Sequence, residues 1–192
     1  MISCAITAGG KASRMHGKTK AFSIINNERI IDRNLKVLRS LFPEIIIISN
    51  RDSEFTEYKN IPTYKDEYKN IGPLAGLHSA IKNTKEDAVF LISSDLPFIS
   101  NSIIEQLIKI YNTTEFDAII PTIGDNIEPL FGIYDCRILS VLENHIENEN
   151  SKSMKYFLSK LKVKYIGLIN NEENQRAFTN INSEEDIASA SL

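Results

Sequence analysis

Four isoleucines in succession, within Glu44-Ile-Ile-Ile-Ile-Ser49, narrow sharply what this chain can fold into. A run that is apolar at every position has no polar face to turn to water, so it reads as a strand buried on both faces. Two further runs share that character, Ile2-Ser-Cys-Ala-Ile-Thr-Ala8 and Ala88-Val-Phe-Leu-Ile-Ser93. Between them lie segments of helical period. Glu28 to Leu41 spaces Ile30, Ile31, Leu35, Leu38 and Leu41 along one face, and Pro43 closes it. Leu74 to Thr84 reads as a helix after Gly72-Pro73. Ser100 to Tyr111 reads as another, capped by Ser100 or Asn101. Pro62-Thr-Tyr64, Asp117-Ala-Ile-Ile-Pro121 and Pro129-Leu-Phe-Gly-Ile-Tyr134 read as shorter strands. This alternation predicts one α/β domain over residues 1–192, with a mostly parallel sheet between helices.

The C-terminal third is less regular. Arg137 to Ile146 and Lys152 to Lys160 read as helices and Val163 to Ile169 as a strand. Ser183 caps a last short helix, with Asp186 three residues on. The 42% apolar content suits a soluble globular fold, and 192 residues suffice for a sizeable core. No apolar run approaches the length of a membrane span and the N-terminus has no signal-peptide pattern, so the expectation is a cytoplasmic protein with no membrane partner. Cys4 and Cys136 form no disulfide framework, and Cys4 reads as a small core residue. His16, His78 and His145 offer no zinc pair. A net charge of −3, with basic residues clustered only locally, argues against nucleic-acid binding.

The local basic cluster is the loop after the first strand. Gly9 and Gly10 precede Lys11, Arg14, Lys18 and Lys20, and no acidic residue occurs before Glu28. Glycine lets backbone N–H groups approach a ligand, and cations beside them favour a polyphosphate. Two common phosphate motifs fail here. Ala12 replaces the first glycine of a P-loop, and Ala21-Phe-Ser-Ile-Ile25 reads as extended where a P-loop needs a helix. Lys11 stands where a dinucleotide fingerprint needs glycine.

Ligands of such sheets bind beyond the carboxyl ends of the strands. The opening loop, Ser49-Asn50 and Ser94-Asp95 all lie at such ends and should meet in one crevice. Asp95 fits either a Mg²⁺ ligand beside phosphates or a turn aspartate. Asn50 fits either a base-reading amide or a left-handed turn residue. A carboxylate can accept two N–H donors from guanine, so Asp66 is a candidate base or ribose contact. Glu67 next to it is chemically equivalent. Asn180 and Asn182 share one face of an extended run and could grip an acceptor, although Asn182 also suits a helix cap.

The motifs carry a family resemblance. Ala8-Gly-Gly10, Arg14-Met15, Gly17 and Lys20 resemble the signature loop of nucleotidyltransferases that act on sugar phosphates and related compounds. Gly72-Pro-Leu-Ala-Gly76, Asp95-Leu-Pro-Phe98, Glu128-Pro-Leu-Phe-Gly-Ile-Tyr134 and Asn180-Ile-Asn182 are most similar to the molybdenum cofactor guanylyltransferase (MobA) family, over Ile2 to about Ile187. The resemblance implies a single-domain, Rossmann-like, three-layer α/β/α fold and Mg²⁺-dependent transfer of GMP from GTP to molybdopterin cofactor. It implies Arg14, Lys20 and Asp95 as catalytic residues, with Asp95 also the metal ligand. Thr7, Ala8, Gly9, Gly10, Lys20, Asn50, Asp66 and Asp95 would bind nucleotide, and Asn180 and Asn182 the acceptor. Implied partners are GTP, molybdopterin cofactor and molybdoenzyme apoproteins or their chaperones, acting on a monomer or weak oligomer. Thr19 departs from the family, which often has Asp there, and Glu184 replaces its usual Pro. Two other readings fit the same residues: transfer of CMP or to a sugar-1-phosphate, and a non-catalytic GTP-binding module.

Overall fold

The structure, a computed structural model, describes residues 1–9 and 19–190. Strand β1 (Ile2–Thr7) lies inside the sheet because every second side chain enters a different core. Ile2, Cys4 and Ile6 join one apolar cluster, and Ala5 joins the other. After a single 3₁₀ turn (Lys20–Phe22) come β2 (Ile24–Ile25), β3 (Glu28–Arg29), α1 (Ile30–Leu41) and β4 (Ile45–Ile48). A second 3₁₀ turn (Asp52–Phe55) leads to β5 (Thr63–Tyr64), α2 (Pro73–Asn83), β6 (Ala88–Ser93) and α3 (Asn101–Tyr111). Then follow β7 (Ala118–Ile123), β8 (Asn126–Ile127), β9 (Phe131–Asp135), α4 (Leu139–Asn148), α5 (Met154–Leu158), β10 (Val163–Leu168), α6 (Glu172–Ala177) and α7 (Glu184–Ala190).

The main sheet runs β10-β7-β9-β6-β1-β4-β5, with β8 paired to β7. Pairings are parallel except those of β9 with β6 and β7 and of β8 with β7. The isoleucine run obeys the period-two rule: Ile47 packs in the cluster that includes Leu35 and Leu38 of α1, whereas Ile46 and Ile48 pack with Leu74 and Leu77 of α2. Helices therefore cover both faces, giving three layers. Among the described residues, no helix is long and apolar enough to cross a membrane.

The structure departs from the sequence reading in several places, β8 among them. Pro129 and Leu130 form a turn, closed by Phe131 N–H donating to the Glu128 carbonyl at 3.0 Å, so β9 begins only at Phe131. Lys20–Phe22 is a 3₁₀ turn and not extended, because the N–H groups of Phe22 and Ser23 bond back to the Thr19 and Lys20 carbonyls. Asn26 and Asn27, both at positive φ, turn β2 into β3 as a small hairpin. Helix α6 was not expected, and Asn171 caps it by accepting from Asn174 N–H at 2.9 Å.

Register levels the strand ends that matter. Thr7 of β1 lies opposite both Ile48 of β4 and Ser93 of β6. Just beyond, Ala8 N–H donates to the Ile48 carbonyl at 2.8 Å, and Ser94 N–H donates to the Thr7 carbonyl at 3.0 Å. The C-terminal run is tied to the same level, because Ile181 N–H donates to the Asp95 carbonyl at 2.9 Å. Ile181 is fully buried with Ile25 and Ile30, and Ile187 packs on that cluster.

Candidate functional site

A cavity of about 550 Å³ opens at the leveled strand ends. Thr7, Ala8 and Gly9 supply one wall, and Asn50 and Asp66 another. The third is the start of α2, where Gly72, Pro73 and Gly76 face the space. Gly72 adopts φ +74°, which only glycine takes readily, and Pro73 then begins the helix with no side-chain cap among the described residues. A helix N-terminus left open in this way favours an anionic ligand. Gly76 lets α2 lie against β1, because a Cβ there would come within 3.1 Å of Thr7 Cγ2. The Thr7 hydroxyl itself donates to the Ile92 carbonyl at 3.1 Å.

Asn50 and Asp66 lock each other. The Asn50 amide donates to Asp66 Oδ2 at 2.8 Å, and Asp66 N–H donates to Asn50 Oδ1 at 3.1 Å. Asp66 Oδ1 is buried and has no hydrogen-bond partner among the described residues. Burial raises the Asp66 carboxyl above the ordinary range, opposed by the Asn50 hydrogen bond and by His78. Asp66 lines the cavity, whereas Glu67 turns outward to Lys82 at 2.8 Å. Asn50 sits at ordinary negative φ and is not the left-handed turn residue that its type allowed.

A second cluster adjoins the first. Lys20 Nζ lies 3.1 Å from Asp95 Oδ2 and donates to Asn182 Oδ1 at 2.6 Å. The other Asp95 oxygen accepts from the Ser93 hydroxyl at 2.6 Å. Ser93 also lines the cavity, so it joins the two clusters. Asp95 therefore lies in a turn with its carboxylate held by side chains. Among the described residues, no three His, Cys, Asp or Glu side chains converge as a metal site. Asp95 fits Mg²⁺ as one protein carboxylate that leaves the remaining positions to water and phosphate oxygens.

The Asn182 side chain reaches Lys20, and capping of α7 falls to its neighbours. Ser183 Oγ accepts from Asp186 N–H at 3.2 Å, and Asp186 accepts from the N–H groups of Asn182 and Ser183. Asn180 is exposed and makes no side-chain hydrogen bond among the described residues. Gly10 and Arg14, expected at this site, lie outside the described residues. Ser93, Arg51, Asn70 and Leu130 line the cavity although the sequence reading did not single them out for it. Ser93 was the easiest to find, since it ends the strand before Asp95. The expected core role of Cys4 holds, and His78 and His145 are buried as well.

Comparison with known proteins agrees with this fold. Residues 4–163 match the model of the MobA-like NTP transferase domain. A protein of Carboxydothermus hydrogenoformans named "probable molybdenum cofactor guanylyltransferase" is 32% identical over 188 residues, covering 96% of this chain and 92% of that protein. One of the same name from Clostridium perfringens is 35% identical over 153 residues, covering 80% of this chain and 75% of its own length. The crystal structure of molybdopterin-guanine dinucleotide biosynthesis protein A from Archaeoglobus fulgidus superposes with a TM-score of 0.80 at 21% identity, over 98% of this chain and 96% of that one. A 4-diphosphocytidyl-2C-methyl-D-erythritol synthase from Anaerococcus prevotii superposes with a TM-score of 0.74 at 17% identity, over 99% and 94%. At such identities the two structures establish the shared fold alone.

Proposed function

The chain belongs to the MobA-like NTP transferase family, and is thus a nucleotidyltransferase; we propose that it transfers GMP from GTP to the terminal phosphate of molybdopterin cofactor. The observation that carries this reading is the pairing of two neighbouring clusters. One sets the Asp66 carboxylate in the cavity wall, with its Oδ1 lacking a hydrogen-bond partner among the described residues. The other sets the Lys20 ammonium beside the Asp95 carboxylate. Guanine has two adjacent N–H donor groups that a carboxylate can accept, and adenine does not. The names of the relatives support the same substrates.

In this reading an oxygen of the acceptor's terminal phosphate attacks the α-phosphorus of GTP. The new P–O bond forms as the bond from the α-phosphorus to the bridging oxygen of the β-phosphate breaks, and pyrophosphate leaves. Such chemistry needs alignment and charge neutralisation more than a covalent nucleophile. Gly9 and Gly10 donate backbone N–H groups to phosphate oxygens. Lys20 and Arg14 neutralise charge on the α-phosphate and leaving group. Asn50 holds Asp66 towards the nucleoside. Asn182 and Asn180 flank the acceptor side, Asn182 through its contact with Lys20. Asp95 would hold Mg²⁺, which when bound supplies neutralisation of phosphate charge. The reaction would take place in the cytoplasm, with molybdoenzyme apoproteins or their chaperones receiving the product.

Pyrophosphate release tests this, measured with each of the four NTPs and Mg²⁺, with and without molybdenum cofactor. GTP-selective release that depends on the acceptor is expected. Preference for CTP would indicate a cytidylyltransferase. GTP binding with no release in the presence of acceptor would indicate a binding module.

A further inference from the structure

The residue before Lys20 is fastened to the loop that follows Asn50. Thr19 is only 6% exposed, and its hydroxyl donates to Glu54 Oε2. The other Glu54 oxygen accepts from Arg51 Nη1 at 3.3 Å. Glu54 N–H donates to the Arg51 carbonyl at 2.9 Å, which keeps the 3₁₀ turn Asp52–Phe55 closed under this contact. Arg51 N–H in turn donates to Ser49 Oγ at 3.1 Å, directly beside Asn50. Rings reinforce the same junction. Phe22 packs on Phe55 at 5.0 Å and on Tyr58 at 6.3 Å between centroids, and the Arg29 guanidinium lies 5.5 Å above Phe22. Lys20 lies between the two anchors, Thr19 and Phe22, in a turn closed by its own backbone bonds.

From this geometry we infer that Glu54 is a positioning residue that, by holding Thr19 and Arg51 at once, sets the Lys20 ammonium in register with the Asn50–Asp66 cavity wall. The inference rests on the role proposed above for Lys20. It also gives the departure at position 19 a physical reason. A carboxylate already lies against Thr19 from another element, so aspartate there would bring two like charges together, whereas threonine supplies the hydroxyl donor that Glu54 needs. Glutamine cannot replace Glu54 fully. Its oxygen can still accept from Arg51 and its N–H₂ can donate to the Thr19 hydroxyl, but the charge that strengthens both contacts is lost.

The test uses the full chain carrying Thr19→Val, Glu54→Gln, the pair together, and Thr19→Ser as the conservative control. A misplacement of about 1 Å can cost as much as a hundredfold in rate, and a loosened anchor one residue from Lys20 is expected to lower kcat roughly tenfold. KM for GTP should move by less than about threefold, since the cavity wall is left in place. The double variant should lose no more than the worse single one, Thr19→Ser should retain wild-type kcat, and Thr19→Val should have no further effect in a Lys20→Ala background. Wild-type kcat in Thr19→Val, or a tenfold loss that persists unchanged on Lys20→Ala, would overturn the inference. A readout free of turnover accompanies it: NMR of reductively ¹³C-methylated lysines. The Lys20 signal should shift in Thr19→Val and Glu54→Gln and stay in place in Glu149→Gln, which removes the charged partner of Lys160 at 3.2 Å. An unmoved Lys20 signal in the first two overturns the inference even if the wild type transfers some other nucleotide. Wild-type protein that releases no pyrophosphate from GTP with acceptor present would instead count against guanylyl transfer itself.

Discussion

Asp66→Asn separates function from stability. In the folded chain Asp66 Oδ2 is satisfied by the Asn50 amide, and Oδ1 is buried without a partner among the described residues. The variant amide keeps the Asn50 bond by turning its oxygen to Asn50, which puts an N–H₂ group where Oδ1 was. The acceptor proposed for the nucleoside is then replaced by a donor. Each hydrogen bond to a charged group is worth ~1.5–3 kcal/mol, so GTP affinity should fall by ~2–4 kcal/mol, about 30- to 1,000-fold in Kd. Stability should move the other way. Burial raises the Asp66 carboxyl in the folded state, so the charged form opposes folding. The stability associated with its protonated form is fully present below the unfolded carboxyl value and is lost as pH rises through the raised folded one. Asparagine removes that loss. The N–H₂ is itself unpaired where Oδ1 was, so only the penalty on the buried charge is relieved, and partial access of solvent to Asp66 puts the gain at ~1 kcal/mol. That corresponds to about 2–4 °C in Tm for a chain of this size. Isothermal titration with GTP and with inosine triphosphate, which lacks the 2-amino group, reads the first effect, and thermal melts at neutral and acidic pH read the second. A Kd for GTP within threefold of wild type, or a lower Tm at neutral pH, would refute the reasoning. Equal loss for GTP and inosine triphosphate would move the Asp66 contact from the 2-amino group to N1 or the ribose.

Three more outcomes are expected. Lys20→Ala should lower kcat for pyrophosphate release by about 10²–10³, the usual scale for loss of one electrostatic contact to the transition state, with little change in Tm; near-normal turnover would remove Lys20 from the mechanism. Gly132→Ala should destabilise by ~1–3 kcal/mol, read as a fall in Tm, because its Cβ would sit 2.5 Å from Ile120 Cδ1 and 3.0 Å from the Ile119 carbonyl oxygen where β9 pairs with β7. Ser183→Ala removes the cap of α7 and should cost ~1 kcal/mol. Amide hydrogen exchange at Ile187, whose N–H bonds to the Ser183 carbonyl at 3.3 Å, should accelerate.

The parts of the fold that the sequence made legible are those where burial alone decides. Ile45–Ile48 and Ala88–Ser93 are apolar throughout because helices cover both sides of the sheet, and their periodicity shows it. Strand direction leaves no such mark: the residues of β9 are as buried as those of β6, although β9 runs antiparallel to it. Helix α6 was silent because only Ala177 of its residues is buried, which leaves no apolar stripe. The hairpin of β2 and β3 was readable in Asn26-Asn27, a pair suited to positive φ, but Ile24 is exposed and gave no alternation. The meeting of Thr7, Ala8 and Gly9 with Asn50 followed from strand ends, whereas Asp66 was reached through its chemistry and the neighbouring family motif. The contacts of Lys20 with Asn182, and of Thr19 with Glu54, bridge segments whose approach no local pattern encodes.

The most direct test of the central claim follows the nucleotide itself. Protein is incubated with Mg²⁺, molybdenum cofactor and GTP labelled at the α-phosphorus, and the products are separated. Guanylyl transfer predicts that the label leaves GTP and appears, one GMP per acceptor, in a pterin–guanine dinucleotide, with unlabelled pyrophosphate released in equal amount. Label that stays in GTP, or that passes to free GMP without joining the acceptor, would contradict it.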